Sequence, residues 1–250
     1  MELNTMKPKR LFTFGCSFTK YRLNTWANIV AKKMNVKEFY NFGVAGACNM
    51  FIGTRFSQAL KFYEIDKDDL VMICWTDIDR ESSMLNGMWR VKGGRVGNAW
   101  NYDNREYTED DKSFYSQRDA MIIQSTYDTL KYHGIPFEMF SMTNLKKSMT
   151  PKIAVLYHDT LSNLKPAMID VLGEGPYEHG DVHPNLRQHL YYLQETFGLT
   201  STNEIDEFID KHKDDTDPPW LRKRDSFDYD WFDDVDNRPS ENAEFDKGDN

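Results

Sequence analysis

Residues 69–75 read DLVMICW, and this stretch constrains the fold more than any other. Six apolar residues in a row follow an Asp-rich turn. The run has strand length and offers no polar face to water. Such a strand is buried on both sides, as an inner strand of a parallel sheet is when helices cover both faces. The flanking chain agrees. RLFTFG (10–15) is short, β-favouring and ends in Gly, and KEFYNFG (37–43) reads as a second strand. Residues 24–35 set Trp26, Ile29, Val30 and Met34 at helical spacing, and 48–64 form a second amphipathic helix. A third helix over 118–134 stops at Gly134, and IPFEMFSM (135–142) follows as a strand. Residues 186–197, LRQHLYYLQETF, read as a late helix. This alternation predicts an α/β fold with a mainly parallel sheet between helical layers.

Residues 85–117 break the pattern. They are rich in Gly, Asn, Tyr and Trp and read as a loop or hairpin insertion. KIAVLY, within the unsettled stretch 151–172, suits strand or helix. A length of 250 residues with 40% apolar content supports one domain with an adequate core. Cys16, Cys48 and Cys74 are too few for a disulfide scaffold and lack zinc-site spacing, which points to a reducing, cytoplasmic setting. No run approaches the roughly 18 apolar residues of a membrane span. The start, MELNTMKPKR, has no apolar stretch of signal-peptide length.

The net charge of −9 is uneven. Residues 201–250 hold 17 acidic and 7 basic residues, whereas 1–200 hold 23 and 24. A balanced body without a clustered basic face argues against a nucleic-acid partner. The division expected is a domain over 1–200 and an acidic extension over 201–250, largely disordered, most clearly from Asp214 onward. Its Trp220, Phe227, Tyr229, Trp231 and Phe232 suit a segment that docks on a protein partner or on the body. A solubilising tail is the plainer reading.

Ligands of such sheets bind beyond the carboxyl ends of the strands. Three segments carry chemistry there. The first strand runs into Gly15-Cys16-Ser17-Phe18-Thr19, which places Ser17 at the mouth of the sheet as a candidate nucleophile or a helix cap. The second runs into Asn41-Phe42-Gly43-Val44-Ala45-Gly46, whose Gly46 N–H suits a developing oxyanion, with Asn49 as a side-chain donor; an ordinary strand-to-helix loop is the alternative. The third is Asp181-Val182-His183-Pro184-Asn185, a candidate general base with its carboxylate, or a surface turn.

In this order the three segments resemble the SGNH (GDSL-like) hydrolases, a superfamily of esterases and lipases. GCSFT (15–19) is similar to its first block, NFGVAG (41–46) to its second and DVHPN (181–185) to its last. The resemblance spans roughly 10–195 and implies a three-layer α/β/α sandwich with a flavodoxin-like sheet. It casts Ser17 as nucleophile, His183 as base and Gly46 as oxyanion donor. Asp181 stands two residues before the histidine, where the family has its Asp at three, so a triad and a Ser-His dyad both stay open. In the third block, Thr76 and Asp77 fill the oxyanion and substrate positions and the family's Asn is absent. The divergent GCSFT and HPN forms resemble phage-encoded members. The function implied is hydrolysis of a carboxylic ester, with a small-molecule or carbohydrate ester as substrate and no cofactor. Trp89, Trp100, Tyr102 and Tyr107 of the insertion would stack on sugar faces.

Two rival readings stand beside it. Cys16-x5-Arg22 fits the phosphate loop of Cys-dependent phosphatases. A weakly active or inactive binding protein on the same fold is the other. A metal is not expected, because His179, Asp181 and His183 have no second cluster to complete a site.

Overall fold

The computed structural model describes residues 3–21, 23–85, 88–95, 106–173, 183–212 and 228–230. Strand β1 (Arg10–Gly15) leads through α1 (Trp26–Met34) to β2 (Glu38–Asn41), and α2 (Asn49–Phe62) leads to β3 (Leu70–Trp75). β4 (Arg80–Leu85) and β5 (Met88–Arg95) form an antiparallel hairpin. The long α3 (Glu109–His133) precedes β6 (Phe137–Ser141). Four short helices follow, α4 (Leu145–Ser148), α5 (Pro151–Leu156), α6 (His158–Ser162) and α7 (Met168–Leu172). Helices α8 (Leu186–Phe197) and α9 (Asn203–His212) come next, and β7 (Asp228–Asp230) pairs with β5.

The main sheet has the order β2-β1-β3-β6, and every neighbouring pair is parallel. The chain crosses leftward from β1 to β2 and rightward from β3 to β6. The direction reverses between β1 and β3, the switch point at which flavodoxin-like sheets open a ligand crevice. Right-handed crossovers then force α1 and α2 onto opposite faces. α1 packs with α8 and α9, and α2 packs with α3. Three layers result, as expected.

β3 is buried at all six positions. Its neighbours show why both faces need cover. Phe14 of β1 meets Phe42 and the edge of Phe56 from α2. Phe140 of β6 meets Trp26 of α1 and Tyr192 and Phe197 of α8. Helix boundaries follow local chemistry. Thr25, Thr108 and Asn185 each close a capping box at the start of α1, α3 and α8. α3 and α8 stop where Gly134 and Gly198 turn left-handed.

Two expectations need correction, and one left open is decided. α3 begins at Glu109, not near 118, because Thr108 and Asp111 cap each other. The departure from the α/β pattern therefore runs from the hairpin at Arg80 and ends before α3. Residues 151–156 are helical, with Pro151 in the first turn, where its missing N–H costs nothing. Within 201–250, α9 belongs to the body: Ile205, Phe208 and Ile209 are buried. Residues 213–227 and 231–250 of that extension lie outside the described residues. Among the described residues no helix is long and apolar enough to cross a membrane.

Candidate active site

Ser17 follows β1 in a turn closed by Thr19 N–H and Lys20 N–H, which both donate to the Cys16 carbonyl. Gly15 is required by close approach: a Cβ there would overlap Thr19 Oγ1 and come within 2.8 Å of the Cys74 carbonyl oxygen. The turn is pinned from outside. The Thr19 carbonyl accepts from Thr25 Oγ1 at 2.6 Å and from Asn41 Nδ2 at 3.0 Å. Asn41 also accepts from the Gly43 N–H at 3.1 Å, and the Val44 N–H donates to the Gly15 carbonyl. The first and second sequence blocks are thus laced together at the switch point.

His183 arrives from the far end of the chain. Asn185 caps α8, Pro184 is buried, and His183 is presented two residues before the cap. Its Nε2 lies 2.8 Å from Ser17 Oγ. With the imidazole proton on Nδ1, the serine hydroxyl donates to Nε2, the arrangement a general base requires. The imidazole stacks on Tyr21, with centroids 3.9 Å apart and planes 17° apart, and lies 5.3 Å from the Phe18 ring. Asp181, His179 and Arg22 lie outside the described residues.

Gly46 adopts φ +78°, a left-handed conformation that suits glycine. Among the described residues the Gly46 and Ser17 N–H groups make no hydrogen bond.

Asn49 and Asp77 require correction as oxyanion groups. Asn49 is fully buried. Its amide nitrogen donates to the Thr76 carbonyl at 3.0 Å and to Asp119 Oδ2 at 2.8 Å, while its carbonyl oxygen accepts from the Thr76 N–H at 2.8 Å. Both amide hydrogens are committed, so Asn49 is a strut between α2, α3 and the end of β3. Asp77 is buried, accepts from Thr143 Oγ1 at 2.8 Å and lies 3.5 Å from Arg80 Nε. A carboxylate so engaged holds a loop and does not donate to an oxyanion. Thr76 is buried, and its Oγ1 has no hydrogen-bond partner among the described residues.

Arg118 and Asp119 complete this strut and were not singled out from the sequence. Arg118 Nε lies 2.6 Å from Asp119 Oδ1 and its other end donates to the Arg80 carbonyl at 2.9 Å. Burial pushes the Asp119 carboxyl up to about 6, against the opposing pull of Arg118 and the Asn49 hydrogen bond. The available signal was a carboxylate, Asp119, at helical spacing with the apolar Tyr115 and Ile123. His189 of α8 packs inward. It is buried, its Nδ1 has no partner among the described residues, and burial, with a smaller effect of His183, brings its pKa down to about 3.

Cys16, Cys48 and Cys74 are free and buried, and Cys16 has 0% exposure. A phosphatase nucleophile must meet its substrate, so the Cys16-x5-Arg22 reading fails on access. A cleft of about 290 Å³ lies beside Asp77, lined also by Ile78, Asp79, Tyr107, Glu109, Lys112 and Ser148. A second Ser-His-Asp grouping sits on α6, where Ser162 Oγ lies 3.3 Å from His158 Nε2 and His158 Nδ1 lies 3.4 Å from Asp159. Asp159 is fully exposed and all three belong to one surface helix, so water competes for every contact. Among the described residues no group of three or more His, Cys, Asp or Glu could hold a metal ion.

No protein-family profile matches the chain, and no curated protein matches it. Solved structures do. A lipolytic protein of the G-D-S-L family from Veillonella parvula is 14% identical, with 76% of this chain and 99% of that one covered and a TM-score of 0.41. A GDSL-like lipase from Bacteroides thetaiotaomicron is 16% identical, with 81% and 88% covered and a TM-score of 0.43. A catalytic mutant of an acetylxylan esterase from Geobacillus stearothermophilus is 11% identical, with 79% and 97% covered and a TM-score of 0.47.

Proposed function

We propose that the protein is a serine acylhydrolase that cleaves a carboxylic ester. The observation that carries this reading is the 2.8 Å contact between Ser17 Oγ and His183 Nε2 at the switch point of the sheet. Ser17 gives its proton to His183 and attacks the ester carbonyl carbon. The Ser17 and Gly46 N–H groups stabilise the tetrahedral oxyanion. His183 passes the proton to the leaving alcohol as the acyl-enzyme forms. Water then attacks the acyl-enzyme with His183 again as base, releasing the acid and restoring Ser17. Asp181, two residues before the histidine, is the group proposed to orient it.

With Asn49 and Asp77 engaged elsewhere, two backbone donors form the oxyanion hole. Lack of one side-chain donor is worth a factor of roughly 10²–10³ in turnover, so slow hydrolysis is the expected behaviour. An acylated carbohydrate is the substrate class proposed, with the Tyr107 ring as a stacking face for a sugar.

The test is a fluorophosphonate probe. It labels the wild type, fails to label Ser17→Ala, and labels His183→Ala far more slowly. Equal labelling of wild type and Ser17→Ala removes Ser17 from the chemistry and ends the proposal.

A further inference from the structure

We propose that Tyr21 is a positioning residue for His183: its ring holds the imidazole in line with Ser17 and favours the imidazolium that forms when the serine proton moves. This rests on the acylhydrolase reading for its purpose, but not for its test.

The Nε2 lone pair lies in the plane of the imidazole, so the hydrogen bond from Ser17, 2.8 Å away, depends on the ring's orientation. Rotation of the ring about its Cβ–Cγ bond would carry Nε2 out of line. Stacking resists that rotation, because the Tyr21 ring lies nearly parallel at 3.9 Å between centroids, and Phe18 crowds the imidazole at 5.3 Å. Tyr21 stands four residues after Ser17, and the Thr19 carbonyl between them is held by Thr25 and Asn41. Nucleophile and clamp therefore ride on one braced turn, and any shift of the turn moves them together. Orientation by packing of this kind preserves a near-attack geometry without a further hydrogen bond.

The stack also discriminates between the two states of the imidazole. The face of a phenol ring carries partial negative charge and attracts a cation. A neutral imidazole gains less from it than an imidazolium does. The titratable groups set against His183 include Ser17 and Tyr21 from the turn and His189 from α8. His189 stays neutral in the folded protein down to about pH 3 and so adds no competing cation. Asp181 lies outside the described residues.

The experiment follows the histidine ring resonances of the full chain through a pH titration, with His183 assigned by the signal lost in His183→Ala. Wild type is compared with Tyr21→Phe, Tyr21→Leu and Tyr21→Met, the last in case the leucine variant does not fold. Loss of the aromatic face is expected to lower the His183 midpoint by about half a pH unit, while Tyr21→Phe keeps it within about 0.2. Hydrolysis of an activated acetate ester is expected to show kcat down about tenfold in the leucine or methionine variant, with KM held within about twofold. Tyr21→Phe should restore kcat, and the acid limb of kcat/KM should follow the His183 midpoint downward. An unchanged midpoint in the leucine and methionine variants overturns the proposal, as does a Tyr21→Phe midpoint as low as theirs. If the wild type neither labels with fluorophosphonate nor hydrolyses the ester, the acylhydrolase reading fails, and the titration still decides the role of Tyr21.

Discussion

Asn49 Nδ2 lies 2.8 Å from Asp119 Oδ2, joining the first turn of α2 to the middle of α3 across a separation of 70 residues. The same carboxamide also holds both the N–H and the carbonyl of Thr76. One side chain thus sets the position of the β3 end, against which the serine turn is packed.

Asn49→Ala should therefore act on stability before it acts on chemistry. It strips the Thr76 N–H and the Asp119 carboxylate of partners in a buried site, at a cost of about 3 kcal/mol or more. Urea unfolding should show that loss, while the folded fraction reacts with fluorophosphonate at close to the wild-type rate. Wild-type stability combined with slowed labelling would instead return Asn49 to the oxyanion hole.

Gly15→Ala should destabilise by about 1–3 kcal/mol, the range for forcing volume into a packed site. The new methyl group would overlap Thr19 Oγ1 and press on the Cys74 carbonyl. Adding Thr19→Ala removes the first clash and leaves the second, so partial recovery of the unfolding midpoint is expected. Full stability in the single variant would show that the turn gives way more readily than its bracing implies.

His189 makes the fold sensitive to acid. Its pKa is depressed from an ordinary 6.5 to about 3, so the unfolded chain binds a proton that the folded chain refuses. The stability it contributes is complete above about pH 6.5 and is lost as pH falls toward 3. Two pH units below 6.5 the loss approaches roughly 3 kcal/mol. Asp119, raised to about 6, slopes the other way between about pH 4 and 6 because the folded state holds its proton more tightly. His189→Met should leave the Asp119 slope and remove the His189 one. Urea midpoints for wild type and variant at pH 7.5 and 4.5 measure the difference, and parallel curves would refute it.

None of the three cysteines should react with an aromatic disulfide reagent in the native protein, since all are buried. All three should react in urea. Cys16→Ala should keep its fluorophosphonate labelling. Rapid native reaction at one thiol, or loss of labelling in that variant, would reopen a role for Cys16.

Much of the architecture was legible in the chain. Apolar runs located β1, β3 and β6, because strands buried on both faces leave a continuous signature in local sequence, and the edge strand β2 left an alternating one. Gly134 marked the end of α3 for an equally local reason. The start of α3 was missed because its first residues, 109–114, are mostly polar and exposed and show no apolar stripe. The cap formed by Thr108 and Asp111 was the only cue.

At the site, sequence alone nominated Ser17, Gly46 and His183, since their neighbours, turn-forming glycines and a helix cap, act within a few residues. Only the tertiary structure brought Ser17 and His183 to 2.8 Å, withdrew Asn49 and Asp77 into the scaffold, and set Tyr21 against the imidazole. A hydrogen bond is spent once, and which partner claims it depends on chain segments up to 166 residues apart. Short motifs carry local geometry; the competition for donors and faces is decided only where the layers meet.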